Sequence, residues 1–421
     1  MDNMSIGAKI KQLRTIRKVS QEDLGLAVGY ERTTISLYES GDSICPEVIQ
    51  RRIKEFLNAE GIPFNEKERE GFKDRLYIWN SLINERLFDE AKEMQKQLSV
   101  ITLLPQDVEL NVLYNLFRCR LLFGEGNVQA VTEILENIDV ALVDANDEIM
   151  HHYYYVRGTF SLRQSRTKDA AGYYQKAYKL MKGGLAENKA LCFNVALCES
   201  RLGRVVNAMI LLEDIRGLYS DTDILGFLSE NLYALNCIRV GQLHRAKKVL
   251  EKCHTRAVAI KDKAAMGAVL VNYGCLYQKS KDLHTAIDYL NQAFDCFPEE
   301  NFNYVDVLYR KVQCLFELKD YPRCIDLLLK GKKLSRGNEV YSICFQALEH
   351  LMTLENSKSI DYLEKTAIPY LLKTSENFNA LYYCESLRAY YEKKGRQTKA
   401  LQMSQIISTI YLDILEGGAI E

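Results

Sequence analysis

Residues 267–296 read GAVLVNYGCLYQKSKDLHTAIDYLNQAFDC, and this stretch decides the fold. Two amphipathic helical runs meet at Lys281-Asp282, with small or slender residues where the helices cross. Gly274, Tyr277, Ala286, Leu290 and Ala293 are the anchors. The same frame fits Gly158, Ala170, Tyr174 and Ala177 within 151–180. It fits again at Ala196/Ala208/Leu212 and Ala234/Ala246/Leu250, and more loosely at Val312/Cys324/Leu328. The second-helix anchor recurs as Ala91, Ala130, Ala170, Ala208, Ala246, Ala286, Cys324, Tyr362 and Ala400, spaced by 38–40 residues. Tyr362 is too large for the rule, so its hairpin is the least regular. Gly203, Gly241, Lys281-Asp282, Lys319-Asp320 and Gly395 fall where turns are needed.

This pattern resembles the tetratricopeptide repeat, with a period a few residues above the usual ~34. Nine stacked hairpins in a right-handed superhelix are expected, each burying its apolar faces on its neighbours. The first helix of each pair lines the concave side in such repeats. Counting from the crossing residues, Asn194 and Asn272 lie two before and Asn231 three before. An asparagine amide donates and accepts at once, which suits an extended peptide backbone. Arg163, Arg201, Arg239 and Lys279 all lie five after the crossing residue. That basic ladder can meet a carboxylate, or it can cap helix carbonyls at C-termini. Likewise, the asparagines can serve hairpin-to-hairpin bonding. Gln278, Tyr309 and Arg310 complete the candidate peptide-binding set, with Tyr155 as a further possibility. The run Tyr153-Tyr154-Tyr155 reads as core before ligand cage.

The first sixty residues differ. Ile6, Ile10, Leu13 and Ile16 give a basic amphipathic helix over 5–18. Residues 1–20 hold Lys9, Lys11, Arg14, Arg17 and Lys18 against Asp2. Lys9, Lys11 and Lys18 are expected to be exposed, either as phosphate contacts or as plain surface. Ser20 and Asp23 form a helix-start signal, Gly29 ends that short helix, and a second follows at 32–39 before Gly41. Gln21, Leu24, Gly25, Val28, Gly29, Ile35, Glu39 and Gly41 resemble the helix-turn-helix of phage-repressor and Cro type. The resemblance implies an Arg14–Glu39 ion pair and a second helix whose first turn enters the DNA major groove. Glu31, Arg32, Thr33, Ser36 and Leu37 are its outward positions. Arg32 suits guanine, and Thr33 or Leu37 a thymine methyl. Ser20 and Gln21 stand at a helix N-terminus that favours phosphate. Residues 46–57 read as closing helices, with Pro46 in a first turn.

The remaining composition mostly excludes. In 421 residues, 55 Lys+Arg balance 56 Asp+Glu, so DNA contact must be local. No signal peptide or membrane span is read, and a cytoplasmic protein is expected. The twelve cysteines form no C-x2-C and sit in apolar helical runs, as core residues of a reducing compartment do. Neither G-x-S-x-G, H-E-x-x-H nor a phosphate loop occurs. His151-His152 is the sole close histidine pair, and its side chains diverge on a helix. No enzyme activity, metal or cofactor is expected.

A Cro-type head joined to a tetratricopeptide solenoid resembles the RRNPP family of Gram-positive quorum-sensing regulators; phage arbitrium receptors are similar. The chain is thus expected to be all-α: a lambda-repressor-like head at 1–60, a linker or connecting helix at 61–73, and a solenoid at 74–421. The resemblance implies a bacterial, Gram-positive or phage-borne transcription regulator, cytoplasmic and homodimeric. Its partners would be double-stranded DNA and a short signalling oligopeptide, with no membrane. One alternative is a solenoid that binds a protein partner, an anti-repressor or response regulator. Another is a solenoid that restrains an enzyme, its head vestigial.

Overall fold

The computed structural model describes residues 5–103, 107–139, 141, 144–164, 166–185, 188–220, 223–299 and 301–416. The chain is helical throughout, with no strand among the described residues. It forms two compact units, 1–182 and 183–421. Their boundary falls inside the expected solenoid.

Unit 1 begins with α1 (Ile6–Ile16), α2 (Gln21–Val28), α3 (Arg32–Ser40) and α4 (Glu47–Phe56). Ser20 and Asp23 cap α2 reciprocally, and Gly29 ends it in the left-handed conformation at φ 81°. Pro46 is the N-cap of α4, one position before its expected place. Ile10, Leu13, Leu24, Val28, Ile35, Ile49 and Ile53 make one core. A Cβ on Gly25 would lie 2.5 Å from the Tyr30 carbonyl oxygen, which explains the small residue on α2 where the α2–α3 turn packs against it. Gly7 is tighter still: its Cβ would stand 2.1 Å from the Tyr38 carbonyl oxygen at the end of α3.

The head does not end at α4. Ala59, Ile62 and Phe64 are buried in its core, and Val100 and Leu103 pack against it. Lys9, expected on the surface, is only 3% exposed. Its Nζ donates to the carbonyls of Pro63 (2.9 Å) and Phe64 (3.3 Å). The reason is local: the chain after α4 folds back over α1 and brings bare carbonyls to it. Gln12 Nε2 donates to the Leu103 carbonyl at 3.1 Å. Lys54 pairs with Glu68 at 2.5 Å, and Glu68 also accepts from the Phe64 amide. Burial raises the Glu68 pKa, but the Lys54 and Phe64 bonds outweigh it and hold the carboxyl below its usual range.

Three hairpins complete unit 1: α5 (Glu66–Asn84) with α6 (Phe88–Leu98), α7 (Val108–Gly124) with α8 (Val128–Glu136), and α9 (Asp147–Arg163) with α10 (Thr167–Lys179). Trp79, the only tryptophan, stacks on Tyr114 and donates to the Ala91 carbonyl at 2.8 Å. Unit 2 holds six more: α11 (Lys189–Arg201) with α12 (Val205–Arg216), α13 (Ile224–Arg239) with α14 (Leu243–Ile260), and α15 (Lys263–Lys279) with α16 (Leu283–Phe294). Then follow α17 (Phe302–Glu317) with α18 (Tyr321–Leu334), α19 (Glu339–Leu351) with the broken second helix α20 (Ser357–Tyr362) and α21 (Ile368–Lys373), and α22 (Asn377–Lys393) with α23 (Gln397–Glu416).

All nine anchor positions fall on second helices. The irregular one, Tyr362, ends α20, and a π turn over Leu363–Ala367 separates it from α21. Tyr362 stays half-buried, while Leu363 and Ala367 take the core positions. The extra residue of the π turn thus rotates the bulky side chain off the crossing. Within unit 2 the last hairpin meets the first. α23 packs against α12, and the Asn377 side chain lies where a Cβ on Gly203 would be 2.7 Å away.

Gly7→Ala is expected to destabilise unit 1 by about 1–3 kcal/mol, because backbone on two helices must part. The urea midpoint followed by Trp79 fluorescence should fall; an unchanged midpoint would refute it.

Candidate nucleic-acid interface and ligand cleft

In the head, Arg14 grips Glu39 with two bonds, Nε to Oε1 at 2.6 Å and Nη2 to Oε2 at 3.0 Å. Glu39 is buried, and the bond to it raises the Arg14 pKa. The same carboxylate accepts from Gln21 Nε2 at 2.7 Å. Gln21 is therefore engaged inside the head. Ser20 likewise spends its hydroxyl on the α2 cap, donating to Asp23 Oδ2 at 2.6 Å. These contacts fix how α3 is presented. Arg32, Thr33, Ser36 and Leu37 are all exposed on one face of α3, with Glu31 at its N-cap. Thr33 Oγ1 lies 3.4 Å from Glu31 Oε2, so the acid beside Arg32 has a hydroxyl partner. A guanidinium, a methyl-bearing hydroxyl and an apolar side chain on one helix face can read base edges.

In unit 2 the first helices bring the other candidates together in part. Asn272 Nδ2 donates to the Asn231 carbonyl (3.2 Å) and to Asn231 Oδ1 (2.9 Å), and both side chains are buried. They join α15 to α13. Asn194 is half-buried on α11. The basic ladder divides. Arg163 Nη2 donates to the Phe123 carbonyl at 3.3 Å, and Arg239 Nη1 to the Ser200 carbonyl at 2.9 Å. Each caps the last turn of the preceding first helix. Arg201 and Lys279 are exposed. Gln278 Nε2 donates to Glu317 at 3.1 Å. Tyr309 is core: it packs on Tyr341 and Phe345, and its hydroxyl lies 2.8 Å from that of Tyr383.

The remaining charges converge. Arg310 Nε donates to Asp306 Oδ2 and Nη1 to Cys275 Sγ, each at 2.9 Å. Tyr341 donates to the other Asp306 oxygen at 2.6 Å. Burial opposes the Arg310 charge, but Asp306 outweighs it and holds the pKa above its ordinary value. Arg239 fares differently: burial, with the Arg310 charge, pulls its pKa down to about 10. Burial raises the Glu376 pKa, with Arg239 and Arg201 opposing. Glu376 and Phe378 had no signal in the repeat frame. They open α22, far along the chain from α13, and only the return of the last hairpin brings them to Arg239.

Eleven cysteines are buried, and Cys296 is half-buried. Among the described residues no three His, Cys, Asp or Glu side chains are placed to hold a metal. No described helix is long and apolar enough to cross a membrane.

No family profile and no curated protein sequence matches the chain. Solved structures do. A Rap protein complexed with competence and sporulation factor aligns at TM-score 0.69 with 16% identity, covering 82% of this chain and 98% of that one. NprR in complex with its cognate peptide NprX aligns at 0.65 with 20% identity, covering 81% and 99%. The chain has the helical-repeat fold of the RRNPP proteins. The apo quorum sensor NprR from B. thuringiensis aligns at 0.61, also with 20% identity, over 81% and 99%.

Arg32→Ala is expected to lose about 1–3 kcal/mol of discrimination at one base pair without loss of fold, read by competition binding on single-base variants of a selected DNA site. Arg14→Ala should instead destabilise the head by about 3–5 kcal/mol, since it leaves Glu39 buried and unpaired. Equal thermal stability of the two variants would contradict this assignment.

Proposed function

We propose that the protein is a cytoplasmic, homodimeric transcription regulator of the RRNPP family, without enzymatic activity. It binds specific double-stranded DNA through α3 and a short signalling oligopeptide through the first helices of its repeat. The reading is carried by one observation: a head with an exposed reading face on α3 shares a chain with the repeat fold of receptors solved with signalling peptides. The proposed DNA contacts are Arg32, Thr33, Ser36 and Leu37, flanked by Glu31. The proposed peptide contacts centre on Arg201, Arg239 and Arg310, with Asn194, Gln278 and Lys279 nearby in the repeat.

The head is fastened to the first hairpin by Lys54, which pairs with Glu68, while Lys9 and Gln12 hold the segments just before and just after that hairpin. Strain in that hairpin therefore reaches α1 and α4 without a flexible joint to absorb it. A dimer binds two half-sites only when its heads stand about one DNA turn, or a multiple, apart. A peptide that prefers one curvature of the repeat shifts the population towards the matching head spacing. A hundredfold change in operator affinity needs about 2.7 kcal/mol of such preference.

The test begins with selection of a DNA site from random duplexes by the full chain. Its affinity is then measured with and without synthetic hexapeptides that the protein retains on a sizing column. Expected are a salt-steep, sequence-dependent affinity and a change of at least about tenfold with retained peptide. Sequence-blind binding would remove the regulator reading, and a DNA affinity indifferent to every retained peptide would remove the switch.

A further inference from the structure

The arginine cluster of unit 2 holds a mismatch. Arg239 Nη1 bonds only to neutral acceptors: the Ser200 carbonyl at 2.9 Å, the Ser200 hydroxyl at 2.7 Å and Asn236 Oδ1 at 3.4 Å. Among the described residues no carboxylate oxygen comes within 4.0 Å of its nitrogens. Asp306 is committed to Arg310 and Tyr341. Asn236 is fully buried, and its Nδ2 has no hydrogen-bond partner. Glu376, the other carboxylate of the cluster, attracts Arg239 without an ion pair to it, so the Arg239 guanidinium has no carboxylate in bonding reach.

The first turn of α22 fills this place. Ser375, in the left-handed conformation at φ 63°, turns the chain into it. Glu376 follows as N-cap, its Oε2 held by Asn379 Nδ2 at 3.1 Å. Asn377 lies against Gly203, and the Phe378 ring sits 4.4 Å from the Arg239 guanidinium carbon. An aromatic face is a weaker partner for a half-buried guanidinium than a two-pronged carboxylate.

We propose that this turn is a resident occupant of an anion subsite centred on Arg239, and that the cleft's ligand is a peptide whose carboxylate displaces it. The inference rests on the peptide-receptor reading and names the chemistry of the ligand. An incoming carboxylate takes the Arg239 fork, while the free Asn236 amide and the Ser200 hydroxyl stand beside it as further donors. The displaced turn belongs to the hairpin whose Tyr383 bonds the Cys344 carbonyl and meets Tyr309. Ligand entry at Arg239 thereby loosens the C-terminal hairpin from α13 and from Gly203.

The test uses the full chain and two synthetic hexapeptide libraries. One has free C-termini; the other is C-terminally amidated and lacks Asp and Glu. Retained peptides are identified by mass spectrometry, and their Kd values are measured. Wild type should retain carboxylate-bearing peptides. Arg239→Gln should lose them by at least about tenfold, with partial rescue in Arg239→Lys. Phe378→Ala should bind the same peptides about tenfold more tightly. That gain cannot come from misfolding. If amidated, acid-free peptides bind wild type as tightly, or Arg239→Gln binds as wild type does, the subsite falls while the receptor reading stands. Unchanged or weaker binding by Phe378→Ala removes the resident occupant. If neither library is retained by any form, the receptor reading fails and the subsite with it.

Discussion

Close helix crossing, repeated every 38–40 residues, is the constraint on which the molecule is built. At Gly158 a Cβ would stand 2.7 Å from the Tyr174 ring, and at Gly274 the same distance from Leu290. The partner side chain occupies the volume a methyl group would take, and this sets how near the helices lie. Ala170, Ala208, Ala246 and Ala286 are wholly buried at the reciprocal positions. Each hairpin alone leaves an apolar face bare, and stacking covers it. Geometry at a crossing therefore propagates along a unit, and a shift in one hairpin must be taken up by its neighbour.

The head obeys a different constraint, electrostatic rather than steric. Glu39 is buried in α3 and needs donors, and Arg14 on α1 and Gln21 on α2 supply them. Three helices are thus tied to one carboxylate. The exposed row Arg32, Thr33, Ser36, Leu37 inherits its orientation from that knot. Lys9 holds the segment that follows α4, and the Lys54–Glu68 pair carries the attachment into the first hairpin.

Much of this was legible in the residues. The hairpin frame, the left-handed Gly29 and Gly41 and the Ser20–Asp23 cap depend on local spacing, which a linear reading preserves, while the Arg14–Glu39 pair comes from the resemblance to the Cro-type head. What it loses is partnership across hairpins. Asn231 and Asn272 each suit a peptide backbone, yet they satisfy each other. Arg163 and Arg239 share a repeat position and both cap carbonyls, but only Arg239 is also met by α22. Tyr309 lies on a first helix like the groove candidates, and the close approach of α22 encloses it. Lys9 reads as a surface lysine until the chain after α4 folds over it. In each case the decisive neighbour is a hairpin or more away, where periodicity carries no information.

The contrast between Arg239 and Arg310 bears most directly on function. Both are guanidiniums in the same enclosed region, near Cys275. Arg310 has Asp306, and its charge is the more strongly held for it. Arg239 has carbonyl, hydroxyl and amide oxygens and a ring, and its charge is the less strongly held. A half-buried cation with no carboxylate in bonding reach is poorly compensated for the water it has lost. Capping the Ser200 carbonyl uses part of the guanidinium, and apolar packing gives no reason for the rest, since a leucine would fill much of the same space without desolvating a charge. A position that favours an arriving anion over the resting fold does give one.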